Sequence, residues 1–152
     1  MSPYRTNLQD VPHEKGLSED DGWINMQVQF LINQQTANSD QLVFGYTVLP
    51  PGARHERHRH FHADEFLFVL KGHGSIYTDD GLEESGAGDV IFTERGHWHG
   101  FNNTSDEEVV LVWGWSGAGS LEAAGYEIPP DDAAFNDSEG SGSSGSSGGD
   151  EA

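Results

Sequence analysis

Cysteine is absent from the 152 residues. Disulfides, thiolate metal sites and cysteine nucleophiles are therefore excluded. A fold that needs no disulfide suits a reducing cytosol, and a cytoplasmic location is expected. Lysine occurs only as Lys15 and Lys71, and 7 basic residues face 26 acidic ones, for a formal net charge of −19. Such a surface repels phosphate backbones, so no nucleic-acid partner is expected. Long apolar runs are missing too. The opening MSPYRTNLQDVPHEKG has nothing of signal-peptide length, and no later stretch approaches a membrane span. A soluble chain without membrane contact is expected.

A chain of this length suits one domain and can bury a real core. Residues 1–22 are polar, carry Pro3 and Pro12, and are expected to form an irregular N-terminal arm. Residues 129–152 end in SEGSGSSGSSGGDEA, a composition that buries no apolar surface and reads as a flexible acidic tail rich in Gly and Ser. Residues 23–128 between them form the expected folded domain.

Within that domain the period is two. Met26, Val28, Phe30 and Ile32 alternate with their neighbours as a half-buried strand does. Further strands are expected over 41–49, 65–70, 75–78, 89–93 and 108–115. The 65–70 strand, EFLFVL, is apolar on both faces, so both should be covered. Turn signals recur at Pro50-Pro51-Gly52, Gly72-His73-Gly74, Asp79-Asp80-Gly81, Gly86-Ala87-Gly88 and Arg95-Gly96. That rhythm predicts an all-β sandwich or barrel. Helix is expected only as a turn or two near Ser120–Ala124. Gly72-His73-Gly74 precedes no helix and is not a nucleotide loop.

Polar chemistry is concentrated in residues 52–103. Seven of the eight histidines lie there, with Arg54, Arg57, Arg59, Lys71 and Arg95. His58 and His60 are two apart, so a strand projects both to one face. A turn through Phe61–Asp64 can return Glu65 beside them, and a barrel can bring His99 to the same mouth. Three imidazoles and a carboxylate make a mixed nitrogen and oxygen site. It suits one divalent ion, Fe(II), Mn(II), Ni(II), Co(II) or Zn(II), and not the thiolate sites of structural zinc. Four protein donors on a six-coordinate ion leave two positions open, as a catalytic metal requires.

The spacing resembles the cupin superfamily. That family's first motif is Gly, five residues, His-x-His, three or four residues, Glu, six residues, Gly. Here Gly52, His58, His60, Glu65 and Gly72 meet it throughout. The second motif is Gly, five residues, Pro-x-Gly, two residues, His, three residues, Asn. Here it reads Gly88, Glu94 in place of Pro, Gly96, His99 and Asn103. The resemblance implies a double-stranded β-helix, a jelly-roll barrel, with the metal inside near one end.

Around this set Glu56 shares strand parity with His58 and His60 and is a candidate general base, or an acid pairing with Arg54. His97, two residues before His99, is a second candidate proton carrier; His62, two after His60, is another pocket candidate, and both also fit exposed turns. His55 and His73 are expected to have no catalytic part. Arg57 and Arg59 have the opposite parity and should point outward. Phe44, Tyr46, Phe101, Trp113 and Trp115 are expected as core or as an aromatic pocket.

The resemblance implies a metal-dependent dioxygenase of a small enol, phenol or diketone, with Fe(II) the favoured ion. The alternatives are an isomerase, decarboxylase or lyase on a small carboxylate or sugar, or a barrel that binds a small ligand without turnover. A homodimer is expected, because one chain would leave the outer face of residues 65–70 open.

Overall fold

Alternating apolar residues with Gly-rich turns give antiparallel strands, and the computed structural model, which describes residues 2–130, contains ten. They are β1 (Trp23–Ile24), β2 (Gln27–Ile32), β3 (Leu42–Leu49), β4 (Arg54–His58) and β5 (Asp64–Lys71). Then follow β6 (His73–Thr78), β7 (Gly81–Gly86), β8 (Val90–Thr93), β9 (His99–Asn102) and β10 (Val109–Ser116). They pair into two five-stranded sheets, one ordered β1-β4-β9-β6-β7 and the other β2-β3-β10-β5-β8. The fold is the all-β jelly-roll barrel expected.

Among the described residues α-helix is confined to α1 (Gln34–Ala37), a single turn not expected from sequence, and α2 (Leu121–Ala124), where one was, and the N-terminal arm adds two 3-10 turns at Leu8–Asp10 and Glu19–Asp21. α1 exists because Asn33 and Thr36 cap each other reciprocally: Thr36 N donates to Asn33 Oδ1 and Asn33 N to Thr36 Oγ1. No helix among the described residues is long and apolar enough to cross a membrane. Of the tail expected over 129–152, all but Pro129 and Pro130 lies outside the described residues.

The core lies between the sheets. Val28, Val43, Leu49, Val69, Phe101, Val109, Leu111, Trp113 and Trp115 are buried there. β10 is its centre, apolar on both faces and flanked by β3 and β5. Gly45 faces Trp113 across the β3–β10 ladder, and a Cβ on it would stand 2.1 Å from the indole. Only glycine lets that ring lie across β3, where its Nε1 donates to Thr47 Oγ1 at 2.8 Å. Asn103 is buried for a similar reason. Its amide donates to the carbonyls of Leu49, Pro50 and Glu107, tying the β3–β4 connection to the β9–β10 connection.

The outer face of β5 is open within the single chain. Phe68 and Leu70 are exposed, and so are Val90 and Phe92 on the neighbouring edge strand β8. Within one chain that face is uncovered.

Candidate metal centre

β4 and β9 are adjacent and antiparallel, and their register sets His58 opposite His99. β4 ends at His58, and Arg59 forms an isolated bridge with Glu127 that carries the chain on to His60. β5 then begins at Asp64 and presents Glu65. One ligand atom from each of His58, His60, Glu65 and His99 lies within 4.8 Å of all the others. The four residues read from spacing alone are thus brought together, and the group could hold a metal ion.

The imidazoles are oriented from behind. Nδ1 of His58 lies 2.8 Å from the Glu56 carbonyl, that of His60 2.8 Å from the Gly125 carbonyl, and that of His99 3.1 Å from the His97 carbonyl. A carbonyl only accepts, so each Nδ1 carries a hydrogen and each Nε2 presents a lone pair. All three Nε2 atoms are buried without a hydrogen-bond partner among the described residues. Glu65 Oε1 sits 3.3 Å from His99 Nε2 and 3.5 Å from His60 Nε2, and accepts from Trp115 Nε1 at 2.9 Å.

Electrostatics follow from burial and proximity. Burial lowers the pKa of His58 well below the usual imidazole range, and the neighbouring imidazoles add to it. Burial would raise Glu65, but His99 and His60 outweigh it and hold its carboxyl well below the usual range. Burial would lower His99, but Glu65 outweighs that and raises it. The centre is a carboxylate among imidazoles, the donor chemistry of a divalent transition metal.

The turn before His99 forms without the proline of the familiar pattern. Asp64 Oδ1 accepts from the backbone N of Arg95 at 2.9 Å and from its Nε at 3.2 Å, and Gly96 N donates to the His60 carbonyl at 2.6 Å. A charged clamp thus does what a fixed φ does elsewhere.

Glu56 and His97 are placed differently from the ligands. The β4–β9 register shifts between His55 and His58. Glu56 is buried, its Oε2 2.8 Å from Arg54, and does not line the cavity beside the ligands. The His97 side chain is 61% exposed and 3.9 Å from Glu94. Both residues touch the site through their carbonyls instead. His62 and His73 are exposed. Arg59 pairs with Glu127 at 2.6 Å and lies over Trp98, which Arg57 also approaches.

The same register shift turns His55 inward. Its ring stacks on His58 with centroids 3.7 Å apart and on Trp23 at 3.9 Å. Burial lowers its pKa well below the ordinary value, against the pull of Glu65. Sequence reasoning expected no catalytic part for this residue, and its place in the cavity follows from a bulge that spacing does not announce. Tyr126, hydrogen-bonded to His55 at 3.0 Å, was missed as well. Beside the ligands opens a cavity lined by Met26, Leu67, Ile76, Ile91, Phe101 and Leu111, with Trp113 and Trp115 at its wall. Phe44 and Tyr46 take the other face of β3.

Residues 45–115 match the family model described as "Cupin domain". An "Oxalate-binding protein" of Thermotoga maritima is 28% identical over 88 residues, 57% of this chain and 72% of that one. "Protein SchB" of Streptomyces halstedii is 30% identical over 86 residues, 57% of this chain and 62% of that one. The solved structure of the polyketide cyclase RemF from Streptomyces resistomycificus superposes with a TM-score of 0.67 at 22% identity, covering 84% of this chain and 87% of that one.

Proposed function

We propose that this small cupin-domain protein is a metal-dependent enzyme whose ion is held by His58, His60, Glu65 and His99. One observation carries the reading. Three buried Nε2 atoms without hydrogen-bond partners, each fixed by a carbonyl on the opposite ring nitrogen, converge with Glu65. Burying unpartnered ring nitrogens costs free energy, and metal coordination offsets that cost. Fe(II) is favoured, and Mn(II), Ni(II), Co(II) or Zn(II) take the same donors. When bound, the ion supplies a Lewis acid for a ligating oxygen and, if redox-active, an electron path to O₂.

The chain's own residues set the substrate. The cavity beside the ligands is walled by aliphatic and aromatic side chains. That wall supports a small enol, phenol or diketone, whose apolar body it would bury, over a multiply charged sugar phosphate. The activity proposed is dioxygenation of such a molecule. Glu56 and His97 take part by holding His58 and His99 through their carbonyls. We also propose a cytoplasmic homodimer joined over the exposed face of Phe68, Leu70, Val90 and Phe92.

A redox-neutral reaction is the second reading, and the similarity to a protein described as a polyketide cyclase favours it. The similarity to an oxalate-binding protein favours the third, ligand binding without turnover. Oxygen uptake by the Fe(II)-loaded protein with phenolic or diketone candidates supports dioxygenation. Turnover under strict anaerobiosis moves the assignment to the redox-neutral class, and tight binding without turnover under any metal moves it to the third. The metal reading stands or falls on elemental analysis. Stoichiometric metal in the wild type and none in the His58→Ala, His99→Ala double variant is the expected result.

A further inference from the structure

The hydroxyl of Tyr126 donates to the backbone carbonyl of Asp21 at 2.5 Å, and it also lies 3.0 Å from Nε2 of His55. A phenol has one proton, and a carbonyl can only accept. The Tyr126 oxygen must therefore receive its second hydrogen bond from His55. That fixes the tautomer. Nε2 of His55 carries the hydrogen, and Nδ1 carries the lone pair. Among the described residues Nδ1 has no hydrogen-bond partner.

The position of this ring gives the lone pair a use. His55 lines the cavity. Its ring is packed by His58, 3.7 Å away at 17°, and by Trp23, 3.9 Å away. The imidazole is held by two stacks and one hydrogen bond, and it lies one ring thickness from a residue of the metal centre.

We infer that His55 is the hydrogen-bond acceptor by which the cavity selects its ligand, its Nδ1 receiving an O–H or N–H proton from a small molecule whose neighbouring oxygen sits at the metal centre. The ligand class is a small hydroxy acid, hydroxy ketone or enol, with the donor beside the ligating oxygen. The inference rests on the metal reading above for where that oxygen sits. Tyr126 is a positioning residue, acting only through the tautomer of His55.

Two measurements test it. The first needs no metal. In metal-free protein carrying ¹⁵N-labelled histidine, nitrogen–proton correlation spectra should show His55 as the Nε2–H tautomer, and Tyr126→Phe should spread it over both forms. A dominant Nδ1–H form in the wild type overturns the inference, whatever the metal content. The second uses Mn(II)-loaded protein of measured metal content and compares binding of lactate with that of propionate by calorimetry. The wild-type preference for lactate should fall about tenfold in His55→Phe, which keeps a ring in the stack but loses the acceptor. His55→Gln, which restores an acceptor oxygen, should recover part of it. Any chelation by the lactate hydroxyl is common to all three proteins and cancels. Equal preference in wild type and His55→Phe at full metal content overturns the inference and leaves the metal reading standing. A wild type that takes up no Mn(II) sinks the metal reading instead, and the tautomer still decides this one.

Discussion

Nδ1 of His60 lies 2.8 Å from the backbone carbonyl of Gly125, in a part of the chain 65 positions further on. His58 and His99 take their orienting carbonyls from two residues upstream, at Glu56 and His97. Two of the three imidazoles thus carry their support with them on the strand. The third borrows it from the turn that ends α2, so the segment after the last strand belongs to the centre as much as the strands do.

Gly125 tests that dependence. Its φ of 81° and ψ of 155° lie where essentially only glycine is comfortable, and a Cβ there would stand 3.0 Å from the ring of Phe61. Gly125→Ala should lower stability by about 1–3 kcal/mol, read from urea midpoints. As the carbonyl shifts, metal affinity should fall about tenfold, read by competition with a chromophoric chelator. Affinity equal to wild type would show that His60 needs no help from this turn.

Trp115 tests the carboxylate side. Its Nε1 donates to Glu65 Oε1 at 2.9 Å, and the indole is buried. Trp115→Phe keeps most of the ring volume and removes the donor. The expected cost is about 1–3 kcal/mol of stability, the usual scale for a lost hydrogen bond to a charged group. The less stabilised Glu65 carboxylate should take up protons at a higher pH, so metal release on acidification should begin earlier than in wild type. A titration with unchanged metal release would remove Trp115 from the centre.

What was legible in the sequence was whatever depends on spacing along one strand or between turns. His58, His60, Glu65 and His99 are two, five and thirty-four positions apart, and strand geometry plus two Gly-bounded motifs place them together. β2 and β3 show a period of two directly, and β5 and β10 show as unbroken apolar runs bounded by turn signals. β4, β7 and β9 do not, because ligands, glycines and acids occupy the positions where apolar residues would mark a strand. His55 was illegible for a sharper reason. A one-residue irregularity between His55 and His58 changes which side chains face inward, and no composition announces a bulge. Tyr126 reaches His55 from 71 positions away, with no motif to mark it.

The outer face of β5 and β8 bears on the proposed dimer. Phe92 is 64% and Val90 69% exposed, beside Phe68 and Leu70, and an edge strand with such side chains attracts a partner. Light scattering should give a dimer for the wild type and a monomer for Phe92→Glu, with unchanged metal content. A monomeric wild type would leave this face without an explanation in self-association.

Acid should weaken the metal-free protein, and the sign follows from its histidines. Burial holds His55 and His58 well below 6.5 in the folded state. The unfolded chain takes up those protons near 6.5 and the folded chain does not, so stability falls as pH drops below that value. His99 has the opposite sign. Glu65 raises it above 6.5 against the effect of burial, so its contribution is full below 6.5 and lost as pH rises through the folded value. Glu65 itself, held below 4.5, contributes fully above that value and loses its contribution only as pH falls further, through the folded pKa. Just below about pH 6.5 the two depressed histidines therefore set the slope alone, because the contribution of His99 is already full there and changes only above that value. The urea midpoint in the presence of a chelator should drop as pH falls from there, and His55→Phe, which removes one of the two depressed groups, should flatten the drop. With metal present the slope should steepen, because protons then compete with the ion for the same Nε2 lone pairs. A midpoint that rises on acidification in chelator would mean that the His99–Glu65 pair, and not burial of His55 and His58, governs the titration of this centre.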